Sequence, residues 1–95
     1  MKSGIELIAD ERRRQVEEEG WTEDHDRAQR FQHLALAGAC YANLASKEHP
    51  EKEPLEPTQW PWSYMWWKPK SHLRNLVRAG ALIAAAIDRL QSKGE

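Results

Sequence analysis

Charged side chains at helical spacing near the N-terminus form the first group of residues that could do chemistry. The polar residues on consecutive turns of one helix side are Glu11, Gln15 and Glu18 (or Glu19). Carboxylates spaced in this way could hold Mg²⁺ if another helix supplied more oxygen ligands. The alternative is a solvated face of ion pairs. Arg12 falls on the neighbouring apolar side, where it needs a buried carboxylate or a phosphate as its partner.

Aromatic and cationic side chains crowd a second stretch, the tryptophan segment (residues 60–70). It holds four of the chain's 5 tryptophans, and residues 60–95 carry 6 Lys/Arg against 2 Asp/Glu. Aromatic rings stack on nucleobases and nearby cations neutralise phosphates, so this combination is typical of a nucleotide site. Tryptophans can also fill the core or the subunit interface of a small helical protein. We expect both uses, with some rings pointing inwards and at least one facing a ligand.

The candidate ligand-binding residues come from three parts of the chain. The rings that could sandwich a base are Trp60, Trp62, Trp66 and Trp67. The cations that could neutralise phosphates are Arg12 or Arg13, Lys68, Arg74 and Arg78. From a predicted turn, Trp21 and His25 could close the pocket, although His25 with Asp26 could equally form a helix cap and an Asx turn. The sequence contains no Gly-rich phosphate loop and no Ser-His-Asp or Cys-His set.

Three predicted helices must position these side chains, over about residues 4–19, 27–46 and 72–91. Gly20 is placed to end the first helix, and Ser71 is a suitable N-cap for the third. Residues 47–57 are rich in Lys, Glu and Pro, which prevents a continuous helix and indicates a solvated connector. We therefore predict one all-α domain over residues 1–95, with a long Pro/Trp-rich loop between the second and third helices.

The third predicted helix is apolar nearly all the way round. Such a helix is normally central, with partners on two sides. Two other helices in a chain of 95 residues cover it only partly. The uncovered part predicts a contact with a second subunit, most simply in a homodimer or a higher homo-oligomer.

Composition excludes several classes of protein. The formal net charge of -1 does not favour binding to duplex nucleic acid. The single cysteine, Cys40, allows no internal disulfide and no Cys pair for zinc, as expected in a reducing cytoplasm. The apolar run over residues 79–87 is shorter than the roughly 20 residues of a membrane span, and no signal-peptide pattern is visible. We expect a cytoplasmic protein that does not enter a membrane.

Several sequence blocks resemble a family of small proteins encoded by bacteriophages and prophages, over nearly the whole chain except the connector. The blocks are Glu11-Arg12-x-Arg14-Gln15, Glu19-Gly20-Trp21-Thr22 with His25-Asp26, Ala39-Cys40-Tyr41-Ala42, Trp60-Pro61-Trp62, Trp66-Trp67-Lys68-Pro69 and residues 76–83. Some members look distantly similar to all-α nucleotide pyrophosphohydrolases of the MazG type, whose helices carry Glu-Glu-x-x-Glu and Glu-x-x-Asp sets for Mg²⁺. This sequence departs from that pattern, because the second set would fall at Ala85-x-x-Asp88 and lack its first carboxylate.

The resemblance and the incomplete metal set together imply a phage anti-defence protein. It would bind and sequester a nucleotide-derived immune signal, cyclic ADP-ribose-like or a cyclic oligonucleotide, in the cytoplasm of the infected bacterium, without cofactor or turnover. One alternative is a Mg²⁺-dependent nucleoside triphosphate pyrophosphohydrolase. Its candidate metal ligands would be Glu11, Glu18, Glu19 and Asp88, with His25 and Asp26 as further acid/base candidates. The other alternative is a protein-interaction module whose aromatic segment binds a host factor.

Overall fold

The computed structural model describes residues 1–18, 30–48 and 57–92. Three α-helices account for most of these residues: α1 (Gly4–Glu18), α2 (Phe31–Ala45) and α3 (His72–Ser92). No strand occurs within the described ranges, so the prediction of an all-α chain with three main helices is confirmed for them.

Some predicted features lie outside the described residues. They are the turn with Gly20, Trp21, His25 and Asp26, and most of the connector. Between the connector and α3, the tryptophan segment is irregular apart from a short 3₁₀ helix, Tyr64–Trp66. None of the helices in the described part of the chain is both long and apolar enough to cross a membrane.

Helix α1 starts at a reciprocal cap and buries polar rather than apolar side chains. Ser3 Oγ accepts a hydrogen bond from the Glu6 backbone N–H at 3.2 Å, and the Glu6 carboxylate accepts one from the Ser3 N–H at 3.0 Å. The buried residues of α1 are Glu11 and Gln15, whereas Ile5 is exposed. The solvated-face alternative therefore does not hold for Glu11 and Gln15.

Helix α2 begins later than predicted and forms one side of the core. Arg30 has an extended backbone (φ -74, ψ 141), so the helix can start only at Phe31. Gly38 lets α2 approach α3 closely, because a Cβ added there would lie 3.1 Å from the carbonyl oxygen of Ala79. That oxygen belongs to the backbone of a neighbouring helix and cannot move aside alone.

Helix α3 is the central element, packed against both α2 and α1. Ser71 caps its first turn, since Ser71 Oγ accepts a hydrogen bond from the Arg74 N–H at 3.2 Å. Its buried apolar residues are Val77, Ala79, Ala81, Leu82, Ala85 and Ala86. One row of large apolar side chains is left 44–57% exposed, and we call this row the α3 stripe: Leu73, Leu76, Ile83 and Ile87.

Candidate functional site

Hydrogen bonds from α2 and α3 fix the backbone of the tryptophan segment. The Tyr41 hydroxyl of α2 accepts a hydrogen bond from the Lys68 N–H at 3.0 Å. On α3, the fully buried Asn75 side chain accepts from the Lys70 N–H at 2.8 Å and donates to the Lys70 carbonyl at 3.0 Å. Arg78 Nη1 donates to the Lys68 carbonyl at 2.8 Å. The segment is thus attached to two helices by its main chain, which leaves its side chains free to form a wall.

Two tryptophans of the segment belong to the core. Trp60 and Trp67 are each 8% exposed, and their ring centroids lie 5.6 Å and 4.7 Å from the ring of Tyr41. Trp60 Nε1 also donates to the Ser63 carbonyl at 3.0 Å. These rings bury large apolar areas in edge-to-face and tilted contacts, which stabilise a small core. Trp60 and Trp67 therefore fill the interior, which is the role predicted from the sequence for the inward-pointing rings of the segment.

A third tryptophan of the segment faces outwards beside a cation. Trp66 is 51% exposed, and Lys68 Nζ lies 5.7 Å from the centre of its ring. Arg78 is a second cation beside the segment, with its guanidinium 5.8 Å from the centre of the Tyr41 ring. Both contacts have the geometry of cation–π pairs. The outer surface of the segment thus presents ring faces and positive charge together.

A buried carboxylate on α1 holds two arginines. Glu11 is 2% exposed and accepts two hydrogen bonds from Arg14, from Nε at 2.9 Å and from Nη2 at 2.8 Å. Arg74 Nη2 of α3 donates to Glu11 Oε1 at 2.8 Å, and Gln15 Nε2 donates to Oε2 at 3.2 Å. Because both carboxylate oxygens are occupied, Glu11 joins α1 to α3 at this end of the molecule.

The environment of Glu11 favours its ionised form. Burial raises the pKa of Glu11, but the hydrogen bond and charge of Arg14, with the charges of Arg74 and Arg78, outweigh burial and bring the pKa below its usual value of 4.5. Glu11 is therefore an anion and a pure hydrogen-bond acceptor at neutral pH.

A cleft lies where α1, α2, α3 and the tryptophan segment meet. Its lining residues are Glu11, Arg14, Gln15, Tyr41, Trp60, Trp62, Trp66, Lys68, Arg78 and Leu82. The interior measures about 30 Å³, and the volume reaches about 400 Å³ when the space at its open mouth is counted. Three cations against one carboxylate make the lining positive. The lining therefore suits a group that combines an aromatic ring with negative charge.

The predicted ligand residues fall into three groups. Some line the cleft, some lie elsewhere in the structure, and two are outside the described residues. Those that line the cleft are Trp60, Trp62, Trp66, Lys68 and Arg78. Those placed elsewhere are Trp67 in the core, Arg13 on the surface beside Asp10, Arg12 near Asp88, and Arg74 against Glu11. Trp21 and His25 are outside the described residues.

The acidic residues considered for Mg²⁺ do not converge in the described part of the chain. Both oxygens of Glu11 are taken by guanidinium groups, the Glu18 side chain is 69% exposed, and Asp88 lies 3.8 Å from Arg12. Residues 1–18, 30–48 and 57–92 contain no group of three or more His, Cys, Asp or Glu side chains that could hold a metal ion. Glu19 falls outside these ranges, so the described carboxylates do not fit a Mg²⁺ site by themselves.

Several residues of the cleft are missing from the predicted ligand set. Arg14 and Gln15 stand one turn after Glu11, and this spacing was the signal that could have placed them together. Tyr41 lies on the main apolar face of α2, where a tyrosine signals a buried ring with a polar tip. Asn75 does not line the cleft but holds its wall, and no local pattern distinguishes it from an exposed helix residue.

Two polar atoms on the cleft residues have no hydrogen-bond partner among the described residues. They are Gln15 Oε1 and Arg78 Nε, both buried. A buried polar atom left unpaired costs about 1–3 kcal/mol, so native proteins rarely leave such groups without a use. Two residues that line the cleft therefore carry one acceptor and one donor whose hydrogen-bonding capacity is unused within the described ranges.

Comparison of the chain with protein-family models, with curated proteins and with solved structures finds no match.

Proposed function

We propose that the chain binds a nucleotide-type ligand in the cleft and sequesters it without chemical change. The proposed role is that of a phage anti-defence protein that captures a nucleotide-derived immune signal, cyclic ADP-ribose-like or a cyclic oligonucleotide, in the bacterial cytoplasm. The observation that carries the binding proposal is the lining itself, where three tryptophans and a tyrosine stand among three cations. Aromatic rings stack on bases and cations bind phosphates. If the segment served only to fill the core, the exposed Trp66 and Lys68 would not be needed at its surface.

The state of Glu11 supports binding rather than turnover. A carboxylate whose oxygens are both bonded to guanidinium groups is a poor general base and a poor metal ligand. It is well suited to hold Arg14 in place at the wall of the cleft, so that the cation is oriented before a ligand arrives. Such a fixed, positive wall favours the binding of an anion. It does not supply a group that would break a bond in the bound ligand.

A thermal-shift screen tests this function and its alternatives together. We expect one class among nucleoside triphosphates, ADP-ribose isomers and cyclic dinucleotides to raise the Tm by roughly 10–20 °C at 100 times its Kd, with or without Mg²⁺. The ligand should be recovered intact after heat denaturation. Trp66→Ala should weaken binding by about 5- to 150-fold, because a stacking surface is lost.

Tyr64→Ala is the matched control for the ring. Tyr64 belongs to the same 3₁₀ helix, is 72% exposed and does not line the cleft, so its loss should leave the Kd unchanged. If no nucleotide changes the Tm, the sequestration proposal is wrong and an interaction with a host protein takes its place. Mg²⁺-dependent consumption of a triphosphate, abolished by Glu19→Ala, would instead show a pyrophosphohydrolase.

We also propose that the α3 stripe packs against the same stripe of a second copy. Its residues recur at spacings of three, four and seven, as on helices that pair along a seam. A row of large apolar side chains is costly to leave in water, and a self-complementary face is the usual solution in a homodimer. At about 100° per residue, the stripe lies roughly opposite Arg78 on α3, so this interface would leave the cleft open.

Leu76→Glu should convert the dimer to a monomer, because each copy would then have to bury an unpaired carboxylate in an apolar seam. Light scattering coupled to size exclusion measures the mass directly. Met65→Glu is the control, since Met65 is 68% exposed but lies outside the stripe. A wild-type chain that stays monomeric at high concentration would refute the interface.

A further inference from the structure

Within the described residues, only the nitrogen of the Gln15 side-chain amide forms a hydrogen bond. Its Nε2 donates to Glu11 Oε2 at 3.2 Å. An ionised carboxylate only accepts hydrogen bonds, so the amide nitrogen must face Glu11 and the assignment of the two amide atoms is fixed by chemistry. Oε1 therefore points away from Glu11. It has no partner within residues 1–18, 30–48 and 57–92, although the side chain is 2% exposed and lines the cleft.

Arg78 provides the complementary group. Its Nη1 is bonded to the Lys68 carbonyl at 2.8 Å, and its guanidinium stands 5.8 Å above the Tyr41 ring, so the plane of the group is held on two sides. Its Nε–H is buried and has no acceptor in the described part of the chain. Arg78 also lines the cleft. One donor on α3 and one acceptor on α1 are thus left over on residues that line the cleft.

We infer that Gln15 and Arg78 read the hydrogen-bonding edge of a nucleobase, with Gln15 Oε1 accepting from a base N–H and Arg78 Nε donating to the adjacent ring nitrogen or carbonyl oxygen. The four common bases carry such a donor and acceptor at different positions on the ring, so a fixed pair on the protein fits one base better than the others. A phosphate presents only acceptors at neutral pH, and Gln15 Oε1 would repel it. The inference rests on the proposed nucleotide function and gives Gln15 the role of determining base selectivity.

The size of the cleft agrees with this orientation. An interior of about 30 Å³ is too small for a whole base but admits the edge of one. The flat face would then lie on Trp66 at the mouth, and the phosphates would extend towards Lys68 and solvent. Arg78 binds the base in this arrangement, which differs from its expected role as a phosphate ligand.

Calorimetric titration with adenosine, guanosine, cytidine and uridine 5′-diphosphates, and with ribose 5-phosphate as the probe without a base, tests the inference. Wild type should prefer one base over the others. Gln15→Met keeps the length of the side chain but removes the acceptor, so the preferred diphosphate should lose about tenfold in affinity and the four should become nearly equal. Binding of ribose 5-phosphate should not change.

Two further variants keep the test decisive. Gln32→Met, at an exposed glutamine of α2, should leave the ranking of the bases as in wild type. Arg78→Lys keeps the charge but removes the fixed Nε–H, and should flatten the ranking even if Gln15→Met does not fold. An unchanged ranking in a folded Gln15→Met or Arg78→Lys protein overturns the inference and leaves nucleotide binding intact. A wild type that binds none of the four diphosphates overturns it too, and a negative wider screen would remove the proposed function as well.

Discussion

Replacing Glu11 with glutamine is expected to lower the free energy of unfolding by about 3 kcal/mol. The change removes the charge that Arg14 and Arg74 share at 2.8–2.9 Å and leaves two guanidinium groups facing each other. The value lies at the lower end for broken buried ion pairs, because the side chains of Arg14 and Arg74 remain 32% and 41% exposed and are partly screened by water. Urea denaturation of both proteins measures the difference.

The same pair of proteins should differ in its response to pH. The pKa of Glu11 is lowered in the folded chain, so the stabilisation by its charge is complete above the unfolded value, near 4.5, and is lost as the pH falls through the folded pKa. The difference in stability between wild type and Glu11→Gln should thus be constant at neutral pH and shrink below about pH 4.5. Glu18→Gln is the control, since that side chain is 69% exposed and should show almost no effect. Equal pH profiles for wild type and Glu11→Gln would contradict the buried ion-pair cluster.

Trp67→Ala should destabilise the chain by about 3–5 kcal/mol, the usual loss when a large aromatic ring is removed from a core. Trp67 is 8% exposed and packs between Tyr41 and Trp60, with centroid distances of 4.7 Å and 4.9 Å. A cavity there would also loosen the hydrogen bond from the Lys68 N–H to the Tyr41 hydroxyl. Thermal and urea unfolding, followed by far-UV circular dichroism, give the loss.

Trp66→Ala provides the contrast for the adjacent residue. Its ring is 51% exposed, so the cost in stability should stay within about 0.5–1 kcal/mol, while ligand affinity falls. Trp67→Ala should do the reverse and lower stability strongly. If the two variants lost equal stability, the assignment of Trp67 to the core and of Trp66 to the exposed surface of the segment would be wrong.

Much of the fold could be predicted from local patterns in the sequence. Apolar periodicity located three helices, the apolar circumference of the last indicated that α3 is central, and Ser71 was recognised as its N-cap. The residue types predict too early a start for α2, because nothing in them shows that Arg30 has an extended backbone. Helix boundaries depend on such single-residue conformations.

The candidate site was less predictable, because its polar contacts connect distant parts of the chain. Arg74 reaches Glu11 across 63 positions and Lys68 reaches Tyr41 across 27. Periodicity predicts Arg12 on the inward side of α1 but gives no reason to bury Glu11. A carboxylate is buried only when it is paired, and the local pattern does not show the pairing with Arg74. The aromatic and cationic composition of the tryptophan segment was informative, whereas the assignment of each cation to a partner required the tertiary structure.

The cleft draws its walls from α1, α2, α3 and the tryptophan segment, so no fragment of the chain contains it. A bound molecule would contact all four elements. Each element would then have to break its contacts with the ligand before it could unfold locally. Amide hydrogen exchange in the three helices should therefore slow together on saturation, with similar increases in protection for Leu34, Val77 and Gln15. Regions that unfold separately in the free protein would thereby become one cooperative unit in the complex.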